Sequence, residues 1–150
     1  MNNWFYNNKE IKNIEDLGKD VYGFIYIIKN KKTNQYYIGK KQILSKTNKK
    51  LGKKEKAALP ITKGRRPTKK LVIKETNWKD YYGSNIAIQE DVKKLGKHNF
   101  SREILRLVYT KKQLSYFENY YHYKYEVLFD DTCYNNCVNG KYWKEDFVTQ

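Results

Sequence analysis

Apolar and polar positions change period several times along this chain, and each change marks a candidate element. Residues 21–29 (VYGFIYIIK) are an almost unbroken run of β-branched and aromatic types, which predicts a strand. The polar stretch 30–34 (NKKTN) predicts a turn, and 35–39 a second short strand, so the two form an antiparallel hairpin. Residues 45–77 show no sustained apolar period and contain both prolines, Pro60 and Pro67, with Gly52 and Gly64. They read as an extended basic arm, ordered only on a partner. Pattern returns at 78–85 (WKDYYGSN). Ile86, Ile88, Val92 and Leu95 then recur at helical spacing, with Ser84 or Asn85 as cap and Gly96 as terminator. Residues 100–109 (FSREILRLVY) alternate imperfectly and predict a strand. Residues 111–127 predict the longest helix, its stripe made of Leu114, Phe117, Tyr121, Tyr125 and Leu128. In the lead-in, 1–20, Ile11, Ile14 and Leu17 predict one or two helical turns.

These elements fit one α+β domain over 21–140, with the arm 45–77 inserted and a tail at 141–150. The expected core is a small three-stranded antiparallel sheet flanked by helices.

Charge changes the picture most. The chain has 150 residues and a formal net charge of +15. Residues 40–80 hold 15 Lys and Arg against three acids, a net +12 of that total. So concentrated a basic segment predicts a polyanionic partner, nucleic acid first. No apolar run is long enough to span or anchor in a membrane. The polar N-terminus, MNNWFYNNKE, is unlike a secretory signal, which predicts a cytoplasmic protein. Cys133 and Cys137 lack a second pair with ligand spacing, so they read as reduced thiols rather than a zinc site.

Candidate chemistry starts with Tyr26 and Tyr37, one on each hairpin strand. Their faces depend on register, which the sequence leaves open. A phenol with a pKa near 10 is a poor base unless nearby cations lower it; Lys40, Lys41 or a bound metal are the candidates. The plainer reading is two strand tyrosines among fifteen. Glu118 lies mid-helix beside the apolar stripe, where a carboxylate is costly unless paired or bound to a cation. A Mg²⁺ ion with water and substrate phosphate suits it; a boundary glutamate in solvent is the ordinary alternative. His122, one turn on, shares that face and reads as a hydrogen-bonded or surface residue. Ser84 reads as a helix cap. In the arm, Lys49, Lys50, Lys53, Lys54, Arg65, Arg66, Lys69 and Lys70 are the candidate DNA contacts.

Together these segments resemble the GIY-YIG nucleases. Phe24-Ile25-Tyr26 looks like the first motif, and Tyr37-Ile38-Gly39 is the second unchanged. Ten residues separate the two tyrosines, which suits the family. Tyr82-Gly83-Ser84, Leu95-Gly96, Phe100 and Glu103-Ile104-Leu105 are similar to bacteriophage-type members, free-standing homing endonucleases among them. The resemblance spans 22–138. It implies a phage or bacterial host cell, duplex DNA as substrate, and one Mg²⁺ or Mn²⁺ ion held by Glu118. It implies that Tyr26 or Tyr37 deprotonates or orients the attacking water, and that Asn135 orients water or phosphate. Two departures stand out. Phe24 replaces the motif glycine, with Gly23 just before it. The family's arginine after the second motif is missing until Arg65 and Arg66, so Lys40, Lys41 or an arm residue takes its part. A non-catalytic DNA-binding module and an RNA-binding or RNA-cleaving protein remain as alternatives, and oligomeric state is open.

Overall fold

The computed structural model describes residues 2–59, 64 and 67–147. In chain order the elements are β1 (Trp4–Tyr6), β2 (Lys9–Ile11), β3 (Gly23–Asn30), β4 (Tyr36–Gln42) and β5 (Leu44–Lys50). Then follow α1 (Lys53–Ala57), β6 (Lys69–Glu75), α2 (Ile86–Leu95), β7 (Phe100–Val108), α3 (Lys111–Lys124), β8 (Cys137–Val138) and β9 (Tyr142–Trp143).

The main sheet has five strands in the order β2-β1-β7-β3-β4, not the expected three. Its centre, β7-β3-β4, is the antiparallel sheet the sequence predicts. The N-terminal segment adds the other two strands: β1 pairs with β2 antiparallel and with β7 in parallel. The lead-in is therefore part of the sheet. Asn7 and Asn8, both at positive φ (50° and 64°), form its two-residue turn, and Asn tolerates that conformation better than most residues. Of the expected helical turns, a 3-10 turn at Ile14–Leu17 remains.

β3 is central and buried on both faces. Phe24, Tyr26 and Ile28 point into one apolar cluster with Trp4, Trp78, Ile88 and Phe100. Ile25 and Ile27 point into a second with Ile38, Val108, Leu114, Tyr121 and Val127. A strand covered on both sides needs a continuous apolar run, which explains the composition of 21–29. α2 lies over the first face, capped by Asn85, whose Oδ1 accepts from the Ala87 and Ile88 amides. α3 lies over the second, capped by Thr110 Oγ1, which accepts from the Gln113 amide at 3.1 Å.

The expected structureless arm contains an antiparallel two-stranded ribbon instead, β5 paired with β6 over seven residues each. β5 follows directly on β4 after the buried Ile43. The base is pinned where the Thr76 amide donates to Ile43 O (2.8 Å) and Thr76 Oγ1 to Gln42 O (2.6 Å). No described helix is long and apolar enough to cross a membrane.

Candidate active site

β4 is an edge strand, and the site is built around that edge. Strand alternation turns Tyr37, Gly39 and Lys41 to the α2 side, and Tyr36, Ile38 and Lys40 to the α3 side. A polar cleft of about 430 Å³ wraps the edge, lined by Tyr37 and Ser84 from one side and Lys40, Glu118 and His122 from the other. Residues 135–140 close its end.

The outer edge of β4 would leave backbone groups unpaired. Segment 132–135 covers it: Tyr36 N donates to Thr132 O at 3.0 Å, and Tyr134 N to Tyr36 O at 2.7 Å. Asn135 continues the ladder with its side chain, Oδ1 accepting from Ile38 N (2.9 Å) and Nδ2 donating to Ile38 O (2.8 Å). Its amide is thus engaged by β4, and it is buried. The expectation that Asn135 orients water or phosphate gives way to a positioning role, because both ends of the amide complete a strand edge. His122 Nε2 also donates to Ile38 O, at 2.9 Å.

The two motif tyrosines differ sharply. Tyr26 is fully buried, and its hydroxyl has no hydrogen-bond partner among the described residues. It lies opposite Gly39 in the strand register. A Cβ at Gly39 would sit 2.5 Å from the Tyr26 hydroxyl oxygen and 2.9 Å from the Tyr37 ring. The glycine of the second motif is therefore the space that the tyrosine of the first one fills. Tyr26 also packs edge-on against Tyr81, centroids 5.9 Å apart. Tyr37 reaches the cleft, its hydroxyl 3.1 Å from Ser84 Oγ. Ser84 is thus a tyrosine partner, while Asn85 does the capping.

Burial, not cations, sets the acidity of these phenols. It pushes Tyr26 well above its ordinary value, with the neighbouring Tyr37 adding to the effect. It pushes Tyr37 up to about 12, partly offset by the Ser84 hydrogen bond. The expectation that neighbouring lysines lower a tyrosine is corrected: both phenols are raised, and desolvation is the largest cause.

Glu118 is the carboxylate that lines the cleft, with its side chain 22 % exposed. Lys40 Nζ stands 3.4 Å from its Oε1 and 3.4 Å from Ser115 Oγ. Lys41 is not part of this group. One residue further along the strand, it faces the other way, donating to Asn77 Oδ1 (2.8 Å) and lying 4.2 Å over the Tyr81 ring. No arginine lines the cleft among the described residues. Arg102 is buried elsewhere, donating to the carbonyls of Asn2, Lys79 and Tyr81, and so ties the loop before Ser84 to the N-terminus. Arg106 stacks on Phe117 at 4.2 Å. Arg65 and Arg66 lie outside the described residues.

No group of three or more His, Cys, Asp or Glu side chains able to hold a metal occurs among the described residues. The cysteines are free thiols, and burial raises Cys133 to about 11, far from a thiolate ligand. The cleft offers oxygen donors instead: one carboxylate, two hydroxyls and asparagine amides. That set fits a hard divalent cation that keeps most of its water, with Glu118 as its protein ligand once Lys40 turns away.

Sequence reasoning missed Ser84 as the partner of Tyr37 and Tyr81 as packing for Tyr26, while of the two alternatives for His122, hydrogen-bonded or surface, the structure shows the first. Ser84 had a signal in the Tyr82-Gly83-Ser84 segment, and His122 in its one-turn spacing from Glu118.

A family model described as "Putative endonuclease segE, GIY-YIG domain" matches residues 4–138. No curated protein and no solved structure matches the chain. The matched span begins at Trp4, so it takes in the N-terminal hairpin as well as the cleft and the ribbon. The chain belongs to the GIY-YIG endonuclease family.

Proposed function

We propose that this protein is a metal-dependent DNA endonuclease that hydrolyses phosphodiester bonds in duplex DNA, of the phage homing-endonuclease type. One observation carries the reading: Tyr37 and Lys40 of β4 and the distant Glu118 of α3 open on one oxygen-rich cleft, with the unpartnered hydroxyl of Tyr26 packed behind it. A buried hydroxyl without a partner costs about 1–3 kcal/mol, which a purely structural core would avoid.

Glu118 would hold the Mg²⁺ or Mn²⁺ ion, whose chemistry there would be to neutralise phosphate charge and stabilise the departing 3′-oxygen. Lys40, released from Glu118, pairs with the phosphate and takes the part of the family's arginine. At a pKa of about 12, only about one Tyr37 in 10⁵ is ionised at pH 7. Tyr37 is therefore a neutral phenol in the resting site: it orients the attacking water, whose proton leaves to bulk solvent through the open cleft, and the departing 3′-oxygen takes a proton from solvent. Ser84 fixes the phenol's direction. Asn135 and His122 hold β4 in register, so that Tyr37 and Lys40 stay on opposite sides of the scissile group. The ribbon lysines, with Lys53 and Lys54 of α1, bind the DNA backbone.

The test is plasmid nicking at low salt, with Mg²⁺ or with chelator, for wild type and Glu118→Ala. Cutting by wild type with Mg²⁺ only, lost in the variant while DNA binding persists, supports the reading. Equal cutting by both removes Glu118 from the mechanism. Binding without cutting in either protein favours a non-catalytic DNA-binding module.

A further inference from the structure

The β5–β6 ribbon leaves one face open, and the residues on that face suit the floor of a DNA groove better than a phosphate backbone alone. In an antiparallel pair, residues directly opposite share a face. The register puts Ser45/Lys74, Thr47/Val72 and Lys49/Lys70 on one face, and Lys46/Ile73, Asn48/Leu71 and Lys50/Lys69 on the other. The first face turns toward α1: Glu55 pairs with Lys70 at 2.8 Å, and Val72 is half-buried. The second face also holds Leu44/Glu75 at the base, where Leu44 is half-buried and Glu75 Oε1 accepts from Trp78 Nε1 at 2.8 Å; beyond that pair it is bare. Leu71 and Ile73 are 58 % and 52 % exposed, side by side on a strand, with Asn48 across from Leu71. Lys46, Lys50 and Lys69 border them. The ribbon's strands carry six lysines and one glutamate.

We propose that this open face enters the major groove of duplex DNA, where Asn48 reads an adenine and Leu71 and Ile73 meet thymine methyl groups. The inference rests on the nuclease reading for its substrate and adds how sequence is chosen. A two-stranded ribbon is one of the two protein elements the major groove admits, the groove being about 12 Å wide. Seven residues of strand span about 23 Å, roughly two thirds of a helical turn of DNA. An asparagine amide matches the donor–acceptor pair on the adenine edge, and apolar side chains match the thymine methyl. The bordering lysines complement the phosphates on either rim, which favours DNA over an apolar partner. The ribbon also starts where β4 ends, four residues after Lys40, so a duplex in the groove passes the cleft.

The test is selection from a pool of randomised duplexes by the full-length chain, with chelator present so that nothing is cut. The expected result is an enriched motif holding an adenine next to thymines. Asn48→Ala loses selection of that adenine by about tenfold. Replacing the motif's thymines with uracil weakens wild type about threefold, one methyl's worth, and leaves Leu71→Ser/Ile73→Ser unaffected. Failure to enrich any motif overturns the proposal, as does a motif that survives all three substitutions. Sedimentation of the double variant supplies another arm: a dimer turned monomer, with DNA selection intact, makes the face a contact between two copies and overturns it too. Since cleavage plays no part, a catalytically silent protein with a motif refutes only the nuclease reading, and a motif-free nuclease refutes only the ribbon reading.

Discussion

The sheet around the cleft and the ribbon that leaves it are continuous in the chain yet built on opposite terms. In the sheet, β3 is apolar on both faces, each covered by a helix, and the motif residues are held to within one register by that packing. In the ribbon, both faces are mostly polar, and beyond the base residues Leu44 and Ser45 only Val72 is half-buried. The sheet therefore owes its geometry to burial, and the ribbon to backbone pairing and to its anchored base. Chemistry that needs fixed distances sits on the first; contact with a long, deformable polyanion suits the second. The difference also explains the charge map, since a net positive run repels itself and needs no core when a polyanion is its partner.

The sharpest way to break this contrast is Glu118→Gln, which keeps the helix and removes the charge. Metal-dependent cleavage is expected to fall by about 10³-fold or more, comparable to losing a main electrostatic catalyst, while gel-shift affinity for duplex DNA stays near wild type. Next is the ribbon. Lys46, Lys49, Lys50 and Lys69 all changed to alanine should flatten the log Kd against log salt plot by about 3–4 units if each meets a phosphate. A fluorescence-anisotropy salt titration reads this, and the thermal midpoint should not move because the four side chains are exposed.

The sheet should answer in the opposite way. Asn135→Ala leaves Ile38 N–H without its partner and Ile38 C=O with His122 alone, an expected loss of about 2 kcal/mol and roughly 5 °C in Tm. Salt dependence of binding should be unchanged. Gly39→Ala pushes a methyl into the Tyr26 hydroxyl and the Tyr37 ring, so it too should lower Tm, by an overpacking cost of about 1–3 kcal/mol. The smallest effect concerns pH. Tyr37 titrates at about 12 in the fold against about 10 unfolded. The folded state favours the protonated phenol, so this stabilisation is whole below pH ~10 and is lost as pH rises toward 12. Melting curves from pH 8 to 11 should show the decline beginning near 10, shallower in Tyr37→Phe. Identical declines in wild type and Tyr37→Phe would instead mean that the phenol is not buried as described.

How much was legible follows the same division. The strand 21–29, the helix after Asn85 and the long helix 111–124 were readable, because each buries an apolar stripe with the period of its element. The N-terminal hairpin was not read, although Asn7-Asn8 after the aromatic triplet Trp4-Phe5-Tyr6 carries a turn signal; three-residue strands are too short for alternation to speak. The ribbon was missed for a different reason. With no buried face there is no hydrophobic period, and cross-strand pairing leaves no mark on either strand alone.

For the site, the residue types were written in the chain and their arrangement was not. Tyr26, Tyr37, Lys40 and Glu118 stood out by motif, by spacing and by cost of burial. That Lys40 meets Glu118 while Lys41 turns to Tyr81 depends on which face of β4 packs on α3. That Tyr26 is sealed under Gly39 depends on the β3–β4 register, and that Asn135 serves as a strand edge depends on segment 132–135 closing over β4. The sequence by itself determined the elements that bury an apolar stripe, the charge map and the inventory of groups, because propensity, charge and side-chain chemistry are local properties. Only the tertiary structure decided which groups face one another and which phenol meets solvent, because register, face and desolvation arise from parts of the chain far apart in sequence.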